Sequence, residues 1–441
     1  MKLNVFDPVI REEIKTGGFG LEKESLRVTP DGHLSHTPHP FDDPRMDKDF
    51  CENQTELITG VNHSIDEVCD EMDELHRKAV KTLLNLESGP EYLWPFSNPP
   101  YVNGEDDVPI AGYTGNFKDK GDYREYLANK YGKKKMLLSG IHFNYSFSEK
   151  LLLQVFADSE FENFKDFKNQ FYLDLAAKVT RYGWLIVYLT AASSVLDGSY
   201  FDTNDMGKDI VRRYASTRCS DIGYWNTFVP NLDYSNIETY AASIQRYIDN
   251  GELRQASELY YPVRLKPKGD NSLNNLLENG INHIELRTLD LNPFVPTQIH
   301  RKDVGFFHVL LIYLAAMDDK YFGSYEQVMA IQNEKNAAKY NESGIQIQTA
   351  WAESVPITNA VLLLLFDMER FFKELGEEEF VEAVLYQEEK ILHPDKRYAV
   401  RLRKEVQPHY VEKGLKLAKK YAGMVVNGED IEADWRHDEE Y

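Results

Sequence analysis

Cysteine is scarce in this chain, which has only Cys51, Cys69 and Cys219 among 441 residues. Three is an odd number that indicates no disulfide framework, and it favours a reducing cytoplasm. Long hydrophobic runs are also missing, because WLIVYLTAA from Trp184 and GFFHVLLIYLAAM from Gly305 fall short of the roughly 20 residues that span a bilayer. The opening MKLNVFDPVIREEIK has no apolar signal-peptide core. We therefore expect a cytoplasmic protein that binds no membrane.

Positive charge is in deficit, with 50 Lys and Arg against 72 Asp and Glu and a net charge of −22. This balance argues against nucleic acid as a main partner. The sequence lacks the nucleotide-binding patterns GxxxxGK[ST] and GxGxxG, the hydrolase pattern GxSxG and the zincin pattern HExxH. P-loop NTPases, dinucleotide-dependent oxidoreductases, serine hydrolases and zinc proteases are therefore disfavoured. Any phosphate ligand must be met locally by metal ions and arginines.

What the chain does have is paired polar residues on predicted strands. The stretch GGFGLEKESLRV, residues 17–28, predicts a strand in which Glu22 and Glu24 share one face. Two residues apart in a strand means about 7 Å, and charges at that distance repel by roughly 2 kcal/mol at an effective dielectric constant of about 20. A divalent cation would offset this repulsion, although a solvated surface pair is the commoner explanation for a lone ExE motif.

Two later stretches repeat the pattern. SGIHFNYSFS alternates so that His142 and Asn144 share a face, and INHIELRTLDLNPF does the same for Glu285 and Arg287. Each pair has an ordinary explanation, a hydrogen-bonded histidine in the first stretch and a simple salt bridge in the second. Together with the ExE strand they predict an antiparallel sheet with one polar, metal-bearing face and the other face in the core.

The segment KDFCENQTELITG adds Asp49 and Glu56, which are seven residues apart. This odd spacing cannot place both on one face of a regular strand, so either two helical turns or an intervening bend would be needed to bring them together. Oxygen ligands dominate the candidate set, which favours Mg²⁺ or Mn²⁺ over Zn²⁺. His142 would be an unusual ligand for Mg²⁺.

The remaining periodicity predicts one integrated α+β domain over residues 1–425 and an acidic, mobile tail over residues 426–441. Helical patterns cover 2–16, 65–86, 123–132, 150–196, 237–250 and most of 304–422. Strand patterns cover 257–267 and 281–294, in addition to the two strands above. Two segments give no regular pattern: a long connection at 87–121, of the kind that forms active-site loops or is disordered, and 211–226.

Taken in order, these motifs strongly resemble bacterial glutamate-cysteine ligases, both stand-alone and as the N-terminal part of bifunctional glutathione synthases. The resemblance covers about residues 17–296 and rests on these segments: GLEKESLRV, DFCENQTELIT, YLWPFSNPP, YREYLANKYG, SGIHFNYSF, SDIGY, ELYYPVRLKP and HIELRTLDLNPFVP. It implies a glutamine-synthetase-like fold, in which an antiparallel sheet forms a funnel surrounded by helices. It also implies ATP-dependent joining of the glutamate γ-carboxylate to the cysteine amine, the first step of glutathione biosynthesis.

The resemblance also implies residue roles. Three residues match the ligands of one Mg²⁺ ion: Glu24, Asp49 and Glu56. Three others match ligands that bridge further ions to the ATP phosphates: Glu22, His142 and Glu285. Arg287, beside Glu285, resembles the arginine that faces the transferred phosphoryl group, and Arg218 resembles a glutamate-binding residue. The walls of the cysteine pocket match four aromatic residues with an arginine nearby: Tyr123, Tyr224, Tyr260, Phe50 and Arg124.

Two alternatives stay open from the sequence. One is a related carboxylate–amine ligase that joins glutamate to another amine, since a difference of one methyl or thiol group is worth only about 1–3 kcal/mol of selectivity. The other is a catalytically silent relative, which the filled acidic positions disfavour. The expected substrates are glutamate, cysteine and ATP, with Mg²⁺ as the expected metal and Mn²⁺ as the alternative. A separate glutathione synthetase acting downstream is the expected partner enzyme.

Overall fold

The computed structural model describes residues 2–113, 118–318, 320–349 and 353–431. The helices in chain order are α1 (Pro8–Glu13), α2 (Ile65–Leu84), α3 (Lys118–Tyr131), α4 (Glu149–Ala157), α5 (Phe164–Thr190), α6 (Ile237–Asp249), α7 (Leu273–Asn279), α8 (Arg301–Ala316), α9 (Ser324–Ala337), α10 (Ile357–Leu375), α11 (Glu378–Leu392), α12 (Tyr398–Val406) and α13 (Tyr410–Asn427). Across these described ranges, no helix is both long enough and apolar enough to cross a membrane.

The strands are β1 (Gly17–Val28), β2 (Met46–Lys48), β3 (Gln54–Ile58), β4 (Tyr92–Leu93), β5 (Ile141–Phe147), β6 (Leu196–Asp197), β7 (Asp209–Ile210), β8 (Val263–Lys266), β9 (His283–Leu289), β10 (Gln346–Gln348) and β11 (Ser354–Pro356). Seven of them form one sheet in the order β2-β3-β1-β5-β9-β8, with β4 also paired to β1. Every pairing is antiparallel. The predicted α+β fold, a large antiparallel sheet with helices around it, is confirmed.

Strand β1 divides its side chains between two environments, as its alternation predicts. Phe19 and Leu21 are buried in the main hydrophobic core. Lys23 points the same way, where its Nζ lies 2.8 Å from His76 Nδ1 on α2 and donates to the Thr297 carbonyl. Glu22 and Glu24, which alternate with these residues along β1, therefore face the opposite side of the sheet. Lys23 is turned away from both carboxylates.

Helix α2 covers the core face of this sheet. The Ser64 side chain accepts a hydrogen bond from the Glu67 backbone and caps the helix N-terminus, an interaction typically worth about 1 kcal/mol. One stripe of the helix is buried: Val68, Cys69, Met72, Leu75, His76, Ala79, Val80 and Leu83. The helix predicted over 65–86 is confirmed to within two residues.

Several predicted helices are shorter or divided. The helix expected over 2–16 is limited to α1, because the Asp7 side chain caps it and Pro8 occupies its first position. The stretch 150–196 contains two helices, α4 and α5, with Asn163 capping the second. The second helix ends at Thr190. The helical region 304–422 is interrupted by the β10–β11 hairpin.

The strand expected over 257–267 is also shorter. A 3₁₀ turn occupies Ala256–Glu258, and only β8 pairs with the sheet. The connection 87–121 is packed over much of its length, since Trp94, Phe96 and Asn98 are buried, and its residues 114–117 lie outside the described residues. Helix α13 continues to Asn427. The single domain over 1–425 stays a prediction, and residues 432–441 of the predicted mobile tail lie outside the described residues.

Candidate active site

The register of the sheet brings the predicted polar residues onto one surface. Glu22 of β1 lies opposite His142 of β5, and Glu24 lies opposite Glu56 of β3. On the other side of β5, Asn144 lies opposite Glu285 of β9. Neighbouring strands are less than 5 Å apart, so four strands contribute side chains to one polar patch.

Glu22 lies at the centre of this patch and is held by β5. Its carboxylate lies 3.0 Å from His142 Nδ1 and accepts a hydrogen bond from Asn144 Nδ2 at 3.0 Å. Burial raises the pKa of Glu22, but the His142 hydrogen bond and the Lys266 charge outweigh it and bring the pKa to about 2. Glu22 is therefore ionised at neutral pH.

Glu285 is neutralised by cations of the protein itself. Its carboxylate accepts from Arg287 Nη1 at 3.0 Å and lies 3.6 Å from Arg264 Nη1 and 3.4 Å from Lys266 Nζ. Burial opposes ionisation, yet the charges of Arg287, Arg264 and Lys266 hold the pKa of Glu285 well below its usual value. With three cations around this one carboxylate, the β9 side of the patch carries a net positive charge.

Arg264 and Lys266 also belong to the patch, although the sequence-based prediction did not include them. They are two residues apart on β8, where Arg264 pairs with Glu285 and Lys266 with His283. Their alternation in PVRLKP is the same signal that identified the acidic pairs, because residues two apart on a strand share a face.

The β3 side of the patch carries excess negative charge. β2 and β3 form a tight hairpin in which Asp47 pairs with Glu56 and the Asp49 amide donates to the Gln54 carbonyl. A bend therefore accounts for the seven-residue spacing between Asp49 and Glu56. Burial and the charges of Asp49, Glu22 and Glu24 raise the pKa of Glu56 well above its usual value.

One group of described residues is close enough to hold a metal ion. Ligand atoms of Glu22, Glu56 and His142 all lie within 4.8 Å of one another. The group draws on both predicted ligand sets, since Glu56 was assigned to one ion and Glu22 and His142 to others. Two carboxylates and an imidazole in a region of excess negative charge fit a divalent cation.

Arg218 reaches this patch from the irregular loop that gave no pattern in the sequence. Its Nη1 donates to the Leu138 carbonyl at 2.9 Å and lies 3.5 Å from Glu24 Oε2, and its Nη2 lies 3.3 Å from His142 Nε2. Burial raises the pKa of Glu24, and the charge of Arg218 opposes that effect. Arg218 thus partly offsets the charge of the acidic side of the patch.

The predicted aromatic residues gather in a second hydrophobic cluster beside the patch. Phe50 and Tyr260 are buried in it, and Tyr123 and Tyr224 pack against it. The rings of Tyr224 and Tyr260 are 4.3 Å apart. A small cavity of about 30 Å³ opens here, lined in part by Tyr224, Tyr260 and the guanidinium-bearing side chains of Arg218 and Arg287.

Arg124 lies at the edge of this region and hydrogen-bonds to backbone carbonyl groups. Its guanidinium donates to the carbonyls of Asp49 and Lys48 and lies over the Tyr113 ring at 4.9 Å. These contacts fix the end of β2, and with it the position of Asp49.

Comparisons with known proteins identify the family of this chain. The family model described as Glutamate-cysteine ligase matches residues 4–337. The chain belongs to this family. The resemblance inferred from the motifs, and the ligase class that it implies, are confirmed at the level of the family.

Relatives of this family member include longer proteins. The glutathione biosynthesis bifunctional protein GshAB of Listeria monocytogenes is 37% identical over 97% of this chain and 58% of its own length. The protein of the same name from Clostridium perfringens is 32% identical over 96% of this chain and 56% of its own length. The chain therefore spans less than two thirds of these relatives.

Two solved structures share the fold. A bifunctional glutathione synthetase from Pasteurella multocida superposes with a TM-score of 0.82 and 29% identity, over 96% of this chain and 54% of that one. A glutamate-cysteine ligase from Francisella tularensis, solved in complex with AMP, gives a TM-score of 0.81 at 23% identity, over 93% of this chain and 89% of that one. The second likeness bears on the fold alone.

Proposed function

We propose that this protein joins the γ-carboxylate of L-glutamate to the amine of L-cysteine at the expense of ATP, giving γ-glutamylcysteine, ADP and phosphate. The observation that carries the proposal is the position of Arg287. Its guanidinium donates to Glu285 at 3.0 Å on the polar patch, and the same side chain lines the cavity of Tyr224 and Tyr260. A fixed cation thus lies where the polar patch meets the aromatic cluster.

The reaction needs an activated carboxylate, because a free carboxylate is a poor acyl donor. A γ-carboxylate oxygen of glutamate attacks the γ-phosphorus of ATP, and ADP leaves. The unprotonated amine then attacks the acyl carbon of γ-glutamyl phosphate, and the tetrahedral intermediate loses a proton from nitrogen to solvent and expels phosphate. Arg287 faces the transferred phosphoryl oxygens, where a preorganised positive charge stabilises the developing negative charge. Glu285 holds that guanidinium in place.

Arg218 is the proposed glutamate-binding residue. It is buried, and its contacts with the Leu138 carbonyl and Glu24 fix its direction. A guanidinium held in this way binds a carboxylate through two parallel hydrogen bonds. The aromatic side chains of Tyr123, Tyr224, Tyr260 and Phe50 form the proposed pocket for the amine substrate.

The acidic residues are the proposed metal ligands. The ions they would hold, Mg²⁺ or alternatively Mn²⁺, supply charge neutralisation for the ATP phosphates. The proposed ligands of one ion are Glu24, Asp49 and Glu56. The proposed ligands of the others are Glu22, His142 and Glu285. The raised pKa of Glu56 supports this assignment, since no ion pair links it to a cationic side chain among the described residues.

We further propose that residues 1–425 form a single domain that catalyses this ligation, and that a separate glutathione synthetase uses the product. Glutamate, cysteine and ATP are the proposed substrates. The rival is a ligase of the same family that prefers another amine.

Phosphate release in the presence of ATP, Mg²⁺ and glutamate tests the proposal when the amine is varied among cysteine, 2-aminobutyrate and alanine. We expect the highest kcat/KM with cysteine and no release without an amine. Turnover with cysteine no faster than with alanine would refute the cysteine assignment alone. An absence of turnover with every amine would refute ligase activity and favour the silent relative.

A further inference from the structure

Glu258 is a buried carboxylate that has no role in the proposed reaction. It is fully buried, ends the 3₁₀ turn Ala256–Glu258 and precedes Tyr260 by two residues. Its Oε1 accepts hydrogen bonds from Lys130 Nζ at 2.5 Å and from the Tyr131 hydroxyl at 2.8 Å. A buried carboxylate is tolerated when charge and hydrogen bonds satisfy it, and here most of the donors come from helix α3.

The other carboxylate oxygen holds the turn itself. Oε2 accepts from the Arg254 backbone amide at 2.6 Å, and the Tyr126 hydroxyl reaches Oε1 at 3.3 Å. Glu258 therefore connects α3 to the segment 254–260. Since α3 also carries Tyr123 and this segment leads into Tyr260, the carboxylate joins two sides of the aromatic pocket.

Asn226 extends this network to the third side of the pocket. Its Nδ2 donates to the Tyr131 hydroxyl at 3.0 Å and to the Glu258 carbonyl at 2.9 Å. Its Oδ1 accepts from the Tyr260 amide at 2.8 Å. Asn226 follows Tyr224 by two residues, so one side chain ties the backbone of Tyr260 to the loop that carries Tyr224.

The Tyr131 hydroxyl is the junction of the network. It donates to Glu258 and accepts from Asn226, so both of its hydrogen-bonding capacities are used. Its ring also packs edge-on against Tyr260 with centroids 5.3 Å apart, and Tyr260 in turn contacts Tyr224 at 4.3 Å. A shift at Tyr131 would therefore be passed to both rings of the pocket.

We infer that Glu258 is a positioning residue that sets the spacing of Tyr123, Tyr224 and Tyr260, and through it the affinity and selectivity for the amine substrate. This inference rests on the proposed function, in which these rings form the amine pocket. Glu258 acts through Tyr131 and Asn226 and does not itself reach the substrate. A pocket wall that buried hydrogen bonds to a charged group hold in place fits one amine better than the others. A wall that can move adjusts to any amine and therefore discriminates less between them.

Two tyrosines of α3 provide a matched pair for the test. Tyr131 and Tyr126 both donate to Glu258 Oε1, but only Tyr131 is hydrogen-bonded to Asn226. Tyr131→Phe keeps the ring against Tyr260 and breaks the junction. Loss of one such hydrogen bond corresponds to about a fivefold change in an equilibrium constant. We expect Tyr131→Phe to raise the KM for cysteine about fivefold or more and to reduce the preference for cysteine over 2-aminobutyrate.

In the same variant, the KM for ATP and the KM for glutamate should change less than twofold. Tyr126→Phe should leave the KM for cysteine unchanged. Glu258→Gln should raise the KM for cysteine more than Tyr131→Phe does, because it also removes the charge that pairs with Lys130. The Tm of each variant measures separately how much the substitution destabilises the fold. If Glu258→Gln does not fold, the comparison of the two tyrosine variants decides the question.

The inference is overturned if Tyr131→Phe leaves the KM for cysteine and the amine preference unchanged, or if Tyr126→Phe shifts them equally. Equal shifts would mean that the network only stabilises α3. Both results presuppose an active wild-type enzyme. Wild-type protein that turned over no amine would instead refute the proposed function itself, and this inference with it.

Discussion

Arg218 lies directly against Gly140. A Cβ atom added at Gly140 would come within 2.5 Å of Arg218 Cζ and 2.6 Å of its Nε. The backbone amide of Gly140 also donates to Glu24 Oε2 at 2.8 Å. The close approach of a buried guanidinium, together with this hydrogen bond, explains why glycine occupies the position that precedes β5.

Gly140→Ala should therefore displace Arg218 from its place beside Glu24. Real Cβ atoms essentially never show contacts of 2.5 Å, so the guanidinium must move. We expect the KM for glutamate to rise about tenfold or more, as expected when a charged hydrogen bond is lost, while the KM for ATP changes little. Steady-state kinetics with each substrate varied in turn measures this.

Gly423→Ala is the matched control for this substitution. Gly423 lies in α13, and apart from its chain neighbours and the backbone of its own helix, no atom of the described residues comes within 4 Å of the added Cβ. Alanine there should leave both KM values unchanged. An unchanged KM for glutamate in Gly140→Ala would contradict the assignment of Arg218 to glutamate.

Arg287→Ala should abolish ligation while the protein stays folded. Glu285 keeps Arg264 and Lys266 as partners, so the loss of one cation does not leave a buried charge alone. Removal of an arginine that stabilises a phosphoryl-transfer transition state costs about 10³-fold or more in kcat. Phosphate release measures the activity and circular dichroism the fold. The exposed Arg370→Ala serves as control, and wild-type activity in Arg287→Ala would reject the phosphate-binding assignment.

Glu56→Gln should weaken the response of the protein to Mg²⁺. A ligand that binds only the native state stabilises it by RT ln(1 + [L]/Kd), so Tm rises further when the ligand binds more tightly. We expect Mg²⁺ to raise the Tm of the wild-type protein and to raise that of Glu56→Gln by less. The exposed Glu389→Gln should respond as the wild type does. An equal Mg²⁺-induced rise in Glu56→Gln would exclude Glu56 as a ligand.

His308 should contribute to the loss of stability in acid. It is buried on α8 between Phe19, Tyr145 and Phe380, with Nε2 lying 3.2 Å from the Tyr145 hydroxyl. Burial lowers the pKa of His308 to about 3, whereas the pKa of a histidine in an unfolded chain is about 6.5. The unfolded chain therefore binds the extra proton between these pKa values, so this contribution is complete above pH 6.5 and is lost as the pH falls towards 3.

His308→Gln should accordingly flatten the dependence of unfolding free energy on pH between about pH 4 and pH 6, by up to about 1.4 kcal/mol per pH unit. Chemical denaturation at several pH values measures the slope. His393→Gln, at an exposed position, should keep the wild-type slope. If both variants kept it, His308 would not be the titrating group.

The local part of the site could be predicted from the sequence. Strand β1 and the polar pairs of β5 and β9 were identified because alternation with a period of two residues is a local property that survives folding. The same signal is present for Arg264 and Lys266, although the strand predicted over 257–267 is longer than β8.

The remaining parts depend on contacts between distant segments. The relation of Asp49 to Glu56 needed the β2–β3 hairpin, whose existence the spacing alone left open. Arg218 lies in a loop without periodicity, and that loop is held by Asp290, which accepts from Ser193 Oγ at 2.7 Å and from Ser216 Oγ at 3.1 Å. Such contacts join positions far apart in the chain, and single-sequence patterns carry no information about them.

The transfer of oxygen from glutamate to phosphate tests the proposed reaction most directly. Glutamate labelled with oxygen-18 in its γ-carboxylate is incubated with the protein, ATP, Mg²⁺ and cysteine, and the product and the released phosphate are analysed by mass spectrometry. Ligation through γ-glutamyl phosphate predicts γ-glutamylcysteine and one labelled oxygen in each phosphate released. Unlabelled phosphate, or phosphate released without γ-glutamylcysteine, would contradict it.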